Sequence, residues 1–182
     1  MRDHKLAVYT FNQFVAPYQS DKISGFRVAE PEILVTIENA AGFIARAGYD
    51  GEEDPSYWGE QVFPDCWTNG NGDGWAPSTL SLWASVEALM AATYHGRHGK
   101  VLRHGKDWHV PADHIPEYVL WWVADGSTPN WAVAVDRFED LMTNGPSLRA
   151  FTVKNAFDPN GRPYKPDVAI VKDLAKQNAQ KA

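Results

Sequence analysis

Alternation of apolar and polar positions predicts the strands of one β-sheet. Residues 5–11 place Leu6 and Val8 on one face and Ala7 and Tyr9 on the other, in a stretch rich in β-forming residues. Further strands are expected at 43–46, 79–83, 117–123 and 151–154. The almost continuous apolar run at 117–123 indicates a strand that is buried on both faces.

Apolar residues at helical spacing predict helices between these strands. Pro31 suits the first turn of a helix over 31–41, and Gly42 can end it. Ser85 can cap a helix that runs towards Tyr94. A further helix is expected over 94–109, kinked at its glycines. Another begins at Thr128 and Pro129, with an apolar stripe at Trp131, Ala134, Val135, Phe138, Leu141 and Met142.

This order of elements predicts an α+β fold, a sandwich of the ferredoxin-like kind, in one domain over residues 1–154. Residues 155–182 form a tail that we expect to dock weakly or to fray. Helices on one side of such a sheet leave its other face uncovered. Two copies that press these faces together would form a barrel, so the pattern predicts a homodimer.

The segment 48–77 departs from this pattern and predicts a long insertion between the second and third strands. It holds seven acidic residues and no lysine or arginine, together with six glycines and six aromatic residues. Loops of this length are uncommon in compact domains unless they have a function. Because a solvated linker would contain few aromatics, we expect the insertion to fold over the mouth of the barrel or across the dimer partner and to govern ligand access. Its carboxylates should face water or the basic residues of 97–106. The competing interpretation is a surface decoration without a function.

Composition excludes several classes of protein. The chain has 182 residues, a formal net charge of −6 and one cysteine, Cys66. The acidic balance argues against general nucleic-acid binding, and a single cysteine excludes an internal disulfide and a multi-thiolate zinc site. The sequence lacks a membrane-spanning apolar run and a signal-peptide core, so we expect a cytoplasmic protein without a membrane partner.

A set of motifs in residues 80–154 resembles a known protein family. The motifs are Leu82-Trp83-x-Ser85-Val86-Glu87-x-Leu89, Tyr94-x-x-x-His98, Trp108, Leu120-Trp121-Trp122-Val123, Gly126-x-x-Pro129, Asn144-Gly145-Pro146 and Ala150-Phe151-Thr152. As a set they resemble the domain-of-unknown-function family numbered 3291, which is grouped with dimeric α+β barrel proteins and antibiotic-biosynthesis-type monooxygenases. The resemblance implies the barrel fold, in a superfamily that includes cofactor-free monooxygenases, cyclases, lyases and haem proteins. The chain departs from the family in its long insertion and in His109, where the family tends to have phenylalanine.

One face of the predicted helix 94–109 carries the strongest candidate for chemistry. Tyr94, His98, Val101, Leu102, Gly105 and Trp108 share this face, because they step by three and four residues. The face is otherwise apolar, so His98 points towards the core or a cavity within it. Two interpretations stay open: a buried histidine bonded to a backbone carbonyl, or a general base or metal ligand. The resemblance, which includes Tyr94-x-x-x-His98, favours the second. His95, His104 and His109 are expected at the surface or the rim.

Basic residues form an exposed stripe on the same helix. Arg97, Lys100, Arg103 and Lys106 step by three residues. Because the chain is acidic overall, a solvated face is favoured over a nucleic-acid site. Arg97 or Arg103 could also neutralise a carboxylate or enolate on a substrate.

The motif Asn69-Gly-Asn-Gly-Asp-Gly74 imitates the first half of a calcium-binding EF-hand loop. Leu80 stands where that loop requires a glutamate, so a glycine-rich turn is favoured, although the crowded carboxylates could bind Ca²⁺ weakly. No metal site is predicted.

Aromatic residues on the strands predict an apolar pocket. Alternation sends Trp121 and Trp122 to opposite faces, one beneath the helices and the other towards the concave face of the barrel. With Tyr9 or Phe11, the second tryptophan would line a pocket for a flat or aromatic ligand. The candidate substrate-binding residues are Tyr9, Phe11, Trp83, Trp108, Trp121 and Trp122.

Three functions are compatible with these residues. The first is a small enzyme without a tightly bound organic cofactor, which acts on an apolar or aromatic metabolite by monooxygenase-like or cyclase-like acid/base chemistry. His98 would be the acid or base, Tyr94 its orienting or donating partner, and Arg97 the group that stabilises an anion. The second is a haem protein with His98 as axial ligand and Arg97 or Arg103 at the propionates. The third is a module that binds a ligand without converting it.

Overall fold

Four antiparallel strands form the central sheet. They are β1 (His4–Phe11), β2 (Phe43–Arg46), β3 (Ser78–Trp83) and β4 (Tyr118–Ala124), in the spatial order β2-β3-β1-β4. The computed structural model describes residues 4–49, 58–111 and 114–181. Within these ranges the chain is a mixed α+β protein, which confirms the predicted class.

Helices connect strands that are not neighbours in the sheet. The helices are α1 (Ser24–Glu38), α2 (Val86–Tyr94), α3 (Gly96–Leu102), α4 (Gly105–Trp108), α5 (Trp131–Asn144) and α6 (Val168–Ala179). Helix α1 joins β1 to β2 across β3, and the helices α2 to α4 join β3 to β4 across β1. In the part of the chain that the structure describes, no helix is long and apolar enough to cross a bilayer.

The beginnings of the helices test the capping predictions. Ser85 caps α2 as predicted, because its Oγ accepts a hydrogen bond from the amide of Ala88 at 3.2 Å. The prediction that the first helix starts at Pro31 is wrong, since α1 begins at Ser24 and contains Pro31. A proline inside a helix lacks the amide that would bond to the carbonyl four residues earlier.

The cap of α5 also differs from the prediction. Asn130, rather than Thr128, caps this helix, because its Oδ1 accepts a hydrogen bond from the amide of Val133 at 2.8 Å. Asparagine is a better N-cap than threonine, so the helix begins two residues later than predicted.

Both faces of the sheet are covered by elements of the same chain. Leu6, Val8 and Trp83 pack against residues of α2 on one face. Ala7 and Trp121 belong to the opposite core, which α5 supplies with Trp131, Ala134, Phe138 and Leu141, and the insertion with Trp58, Phe63 and Trp67. Helix α5 therefore lies on the face that was expected to be open. The homodimeric barrel stays a prediction. It was based on an uncovered face of the sheet, whereas in the described residues both faces are covered.

The C-terminal part packs against α2 rather than fraying. The last strand, predicted at 151–154, is reduced to one bridge between Phe151 and Leu120, and a short 3-10 turn follows at Val153–Asn155. Strands β5 (Ala156–Phe157) and β6 (Pro163–Tyr164) then form a small hairpin that leads into α6. The Glu87 side chain, buried on α2, accepts hydrogen bonds from the Tyr164 hydroxyl and, at 3.2 Å, from the Asp167 amide.

Candidate functional site

A cavity of about 230 Å³ lies between α1, the α3 and α4 helices and one end of the sheet. We call it the inner cavity. Its apolar wall includes Phe26, Ile33, Leu34, Trp75, Val101 and Trp108, and its polar groups include Thr10, Glu30, Tyr49, Thr79 and Tyr118. Helix α1 has no buried residue, so it roofs the cavity instead of packing tightly on the sheet.

The predicted helix face is confirmed as the wall of this cavity. The residues Tyr94, His98, Val101, Leu102, Gly105 and Trp108 all line it, although the helix is broken into α3 and α4 near Arg103. The spacing by three and four residues therefore predicted correctly which side chains share a space.

His98 is held in one tautomer by the backbone. Its Nδ1 lies 2.8 Å from the carbonyl oxygen of Thr93. Because a carbonyl can only accept, Nδ1 carries the hydrogen and Nε2 keeps its lone pair. Burial lowers the pKa of His98, so the imidazole is neutral at pH 7. The two interpretations of His98 are thus compatible: it bonds to a backbone carbonyl, and that bond leaves the lone pair of Nε2 available.

The α2–α3 corner that brings Thr93 and His98 together depends on a glycine. A Cβ added at Gly99 would lie 2.6 Å from the carbonyl oxygen of Tyr94. Real Cβ atoms do not approach so closely, and a backbone atom has no rotamer by which to move away. Gly99 therefore permits the tight turn from α2 into α3.

We expect Gly99→Ala to destabilise the protein although the residue lies in a helix. Alanine in a helix interior normally stabilises by about 0.5–1 kcal/mol over glycine, whereas the clash with Tyr94 should cost about 1–3 kcal/mol. Urea unfolding measures the change. Gly105→Ala is the matched control, because its added Cβ would make only an ordinary contact, 3.6 Å from Nδ1 of His109. If both variants are equally stable, the corner does not depend on Gly99.

Tyr94 lies in the cavity wall with a second tyrosine. Both Tyr94 and Tyr118 line the inner cavity, and the Tyr118 hydroxyl accepts a hydrogen bond from the amide of Val153 at 3.3 Å. Burial raises the pKa of Tyr118, so this phenol stays protonated at all physiological pH values. The pair supplies the inner cavity with a neutral hydroxyl group that can donate a hydrogen bond.

Arg97 does not contribute to the inner cavity. It points outwards and forms an ion pair with Glu32, and both side chains are about half exposed. The sequence predicted Arg97 as the group that stabilises an anion, and the structure does not bring it together with His98 in the cavity wall.

Most of the predicted aromatic binding residues belong to the cores. Tyr9 and Trp121 are buried on the α5 face, away from the inner cavity. Trp83 packs in the opposite core and donates to Ser81 Oγ at 3.0 Å, while Trp122 donates to the Phe157 carbonyl at 2.7 Å. Of the predicted aromatic set, Trp108 lines the inner cavity, and Phe11 contributes to the wall of a second one.

The second cavity, of about 360 Å³, adjoins the first and is lined by two basic residues of the described chain. We call it the outer cavity. Among the described residues, five line both cavities: Asn12, Leu102, Gly105, His109 and Glu117. Arg103 and Lys106 line the outer cavity alone.

His109 is a functional candidate that sequence reasoning missed. Its ring packs near those of Phe14 and Phe26, at centroid distances of 5.7 and 6.1 Å. Its Nε2 is buried and has no hydrogen-bond partner among the described residues, and burial lowers its pKa to about 4. The expectation that His109 lies at the surface or rim is wrong. The phenylalanine that the family tends to have at this position was the signal for an apolar environment.

Part of the insertion contributes to the inner cavity. Trp75 lines it and stacks on Phe14 at a centroid distance of 5.3 Å. The predicted glycine-rich turn holds Trp75 in place, because Asp73 accepts the amides of Tyr18 at 2.7 Å and Trp75 at 3.1 Å. In the described ranges, no three His, Cys, Asp or Glu residues are grouped closely enough to hold a metal ion.

The carboxylates of the insertion can be compared with their prediction only in part. Glu60, Asp65 and Asp73 are exposed, as expected. The other four, Asp50, Glu52, Glu53 and Asp54, lie outside the described residues. Whether the insertion controls access to the cavity stays a prediction.

The fold and the two cavities define a mixed α+β protein with a histidine in an aromatic pocket. Over residues 5–167 the chain matches the family described as Domain of unknown function (DUF3291), and it belongs to that family. No curated protein and no solved structure matches the chain. The predicted family is thus confirmed, and its grouping with antibiotic-biosynthesis-type monooxygenases stays a prediction.

Proposed function

We propose that this protein is an enzyme in which His98 acts as an acid or base on an apolar or aromatic small molecule bound in the inner cavity. The observation that carries the proposal is the 2.8 Å contact between His98 Nδ1 and the Thr93 carbonyl in a cavity with aromatic walls. This contact fixes the ring and leaves Nε2 as the proton acceptor.

The surroundings of His98 suit proton abstraction from a bound molecule. The neutral imidazole can accept a proton from an acidic C–H or O–H group through Nε2. Apolar walls exclude water, which strengthens each polar contact in the cavity. The Tyr94–Tyr118 pair can donate a hydrogen bond to the anion that forms. Such an electron-rich anion can cyclise or react with O₂, which corresponds to the cyclase-like or monooxygenase-like chemistry that the family resemblance implies.

We propose that the fold is a ferredoxin-like sandwich whose second face is covered by α5 and the insertion. The strand order β2-β3-β1-β4 and the two crossing connections support this proposal. The candidate site is then formed by one chain, and sedimentation equilibrium tests whether a dimer forms as well.

The test of the proposal is turnover of phenolic and polyketide-like compounds by the wild type and by His98→Asn. Asparagine can still donate to the Thr93 carbonyl but lacks Nε2. We expect the variant to lose about 10²–10⁴-fold in kcat/KM, the usual contribution of a general acid or base. His104→Asn is the control, because His104 is exposed and does not line the inner cavity. Equal rates for the wild type and His98→Asn would remove His98 from the mechanism.

Haem binding is a second candidate that one observation favours. A histidine that donates Nδ1–H to a backbone carbonyl presents Nε2, the atom that ligates metals in many sites. The inner cavity, about 230 Å³, is smaller than the ~300–1,000 Å³ typical of ligand pockets, so a porphyrin would require α1 to move outwards. Added haemin should give a Soret band that His98→Asn lacks if this candidate is correct. A protein that ignores haemin contradicts it.

Binding without turnover is the remaining outcome. A compound that raises the melting temperature and is recovered unchanged would indicate a ligand-binding module.

A further inference from the structure

The outer cavity carries an excess of positive charge. Arg103 and Lys106 line it, and neither forms an ion pair with a carboxylate of the described residues. Glu117 is the acidic residue in its described lining. Two cations and one carboxylate therefore leave one positive charge facing the space.

The basic residues of the stripe divide into two pairs. Arg97 and Lys100 line neither the inner nor the outer cavity. Arg97 is neutralised by Glu32, whereas Arg103 donates from Nε to the Gly99 carbonyl at 3.3 Å and faces the outer cavity. A regular stripe in the sequence is thus split by the break between α3 and α4.

The two cavities adjoin at a junction where they share lining residues, one of which is a glycine. Gly105 lines both of them and has no side chain to separate them. His109, neutral at pH 7, forms another part of the junction. The inner cavity has a mostly apolar wall and contains His98, while Arg103 and Lys106 line the outer cavity. A molecule that passes the junction would have one apolar end and one polar end in chemically different surroundings.

We propose that the ligand is an aromatic carboxylate whose ring lies in the inner cavity and whose carboxylate lies in the outer cavity between Arg103 and Lys106. This inference rests on the proposed function only in placing the ring beside His98. The single net positive charge favours a monoanion over a phosphate dianion. Anchoring of the carboxylate determines which atoms of the ring face Nε2 of His98.

Isothermal titration with three naphthalene compounds tests the proposal without any need for turnover. The probes are 2-naphthoate, the neutral 2-naphthalenemethanol and 2-naphthyl phosphate, in low-salt buffer at pH 7.5. We expect naphthoate to bind about five- to tenfold more tightly than the alcohol, as two partly exposed charge contacts would give. The phosphate should bind no more tightly than naphthoate.

Two double variants locate the charge. Arg103→Gln/Lys106→Gln should remove the preference for naphthoate and leave the affinity for the alcohol unchanged. Arg97→Gln/Lys100→Gln removes the same charge from the same stripe outside both cavities, and it should keep the preference. Ala29→Phe, which fills the inner cavity, should weaken both compounds.

Each other result overturns a defined part of the argument. Equal affinity of the wild type for naphthoate and the alcohol overturns the carboxylate site and leaves the inner cavity as a binding site. Tighter binding of the phosphate overturns the choice of a monoanion. Equal losses in the two double variants overturn the location at Arg103 and Lys106. Failure of all three probes to bind overturns both this inference and the aromatic pocket.

Discussion

Lowering the pH from 6.5 towards 4 should remove up to about 3 kcal/mol of stability through His109 alone, and His109→Phe should abolish this part of the loss. The folded protein holds the pKa of His109 at about 4, because its ring is buried between phenylalanines and Nε2 has no partner in the described part of the chain. In the unfolded chain the pKa is near 6.5.

The direction of the effect follows from proton uptake. Between pH 6.5 and 4 the unfolded chain binds a proton at His109 and the folded protein does not, so acid favours unfolding. Above pH 6.5 both states are neutral at this residue, and the contribution vanishes. Burial also lowers the pKa of His98, which adds acid sensitivity of the same sign in both the wild type and the variant.

Urea unfolding at pH 7.5, 6.0 and 5.0 measures the prediction. Phenylalanine fits the surroundings of Phe14 and Phe26, so His109→Phe should be at least as stable as the wild type at pH 7.5 and clearly more stable at pH 5.0. His104→Gln is the control, because His104 is exposed and lies outside the apolar surroundings of His109. The same loss of stability in the wild type and His109→Phe would show that His109 is not buried as a neutral ring.

Local pattern predicted a large part of the candidate site. The helical spacing from Tyr94 to Trp108 identified six residues that line one cavity, and Ser85 was identified as a cap. These features depend on residues within a few turns of one another. The same is true of the β4 strand, whose apolar run predicted burial on both faces, and Trp121 and Trp122 do lie on opposite sides.

The spacing of apolar residues along the chain does not determine how distant elements pack together. The apolar stripe of α5 predicts that it covers something but not which face of the sheet it covers. Because α5 and Trp58 cover the face that carries Tyr9 and Trp121, the pocket expected there is filled with side chains. The inner cavity lies instead under α1, at the end of the strands. None of the strand aromatics predicted to bind a substrate lines it.

The sequence also contained a conflict that local rules could not resolve. His109 follows an apolar helix face, yet histidine in a basic and histidine-rich stretch is normally placed at the surface. Backbone hydrogen bonds determine the position of His109: Val15 donates to the Trp108 carbonyl at 2.9 Å and Val110 donates to the Gln13 carbonyl at 2.7 Å. These contacts join positions nearly a hundred residues apart and turn the His109 ring inwards.

Replacement of Glu87 by leucine should detach the C-terminal hairpin and α6 from α2 without unfolding the sheet. Glu87 is 3% exposed and accepts hydrogen bonds from the Tyr164 hydroxyl and, at 3.2 Å, from the Asp167 amide. Asp167 in turn caps α6, since its Oδ1 accepts the amide of Ala169 at 2.8 Å. One carboxylate thus connects α2 to the entry of the last helix.

The expected size of the effect comes from the two lost acceptor contacts. Hydrogen bonds to a charged group contribute about 1.5–3 kcal/mol each, so docking should weaken by roughly 3 kcal/mol, allowing for relief of the buried charge. This corresponds to about a hundredfold more frequent opening. Amide hydrogen exchange measures it directly as a loss of protection in α6, while the amides of β1 and β3 should keep theirs.

Two further variants separate the contributions. Glu87→Gln retains an acceptor oxygen for both donors and should lose only part of the protection in α6. Tyr164→Phe removes one of the two contacts and should fall between the wild type and Glu87→Leu. Protection of α6 that stays at the wild-type level in Glu87→Leu would mean that Val171, the buried residue of that helix, and its apolar neighbours hold the segment without help from the carboxylate.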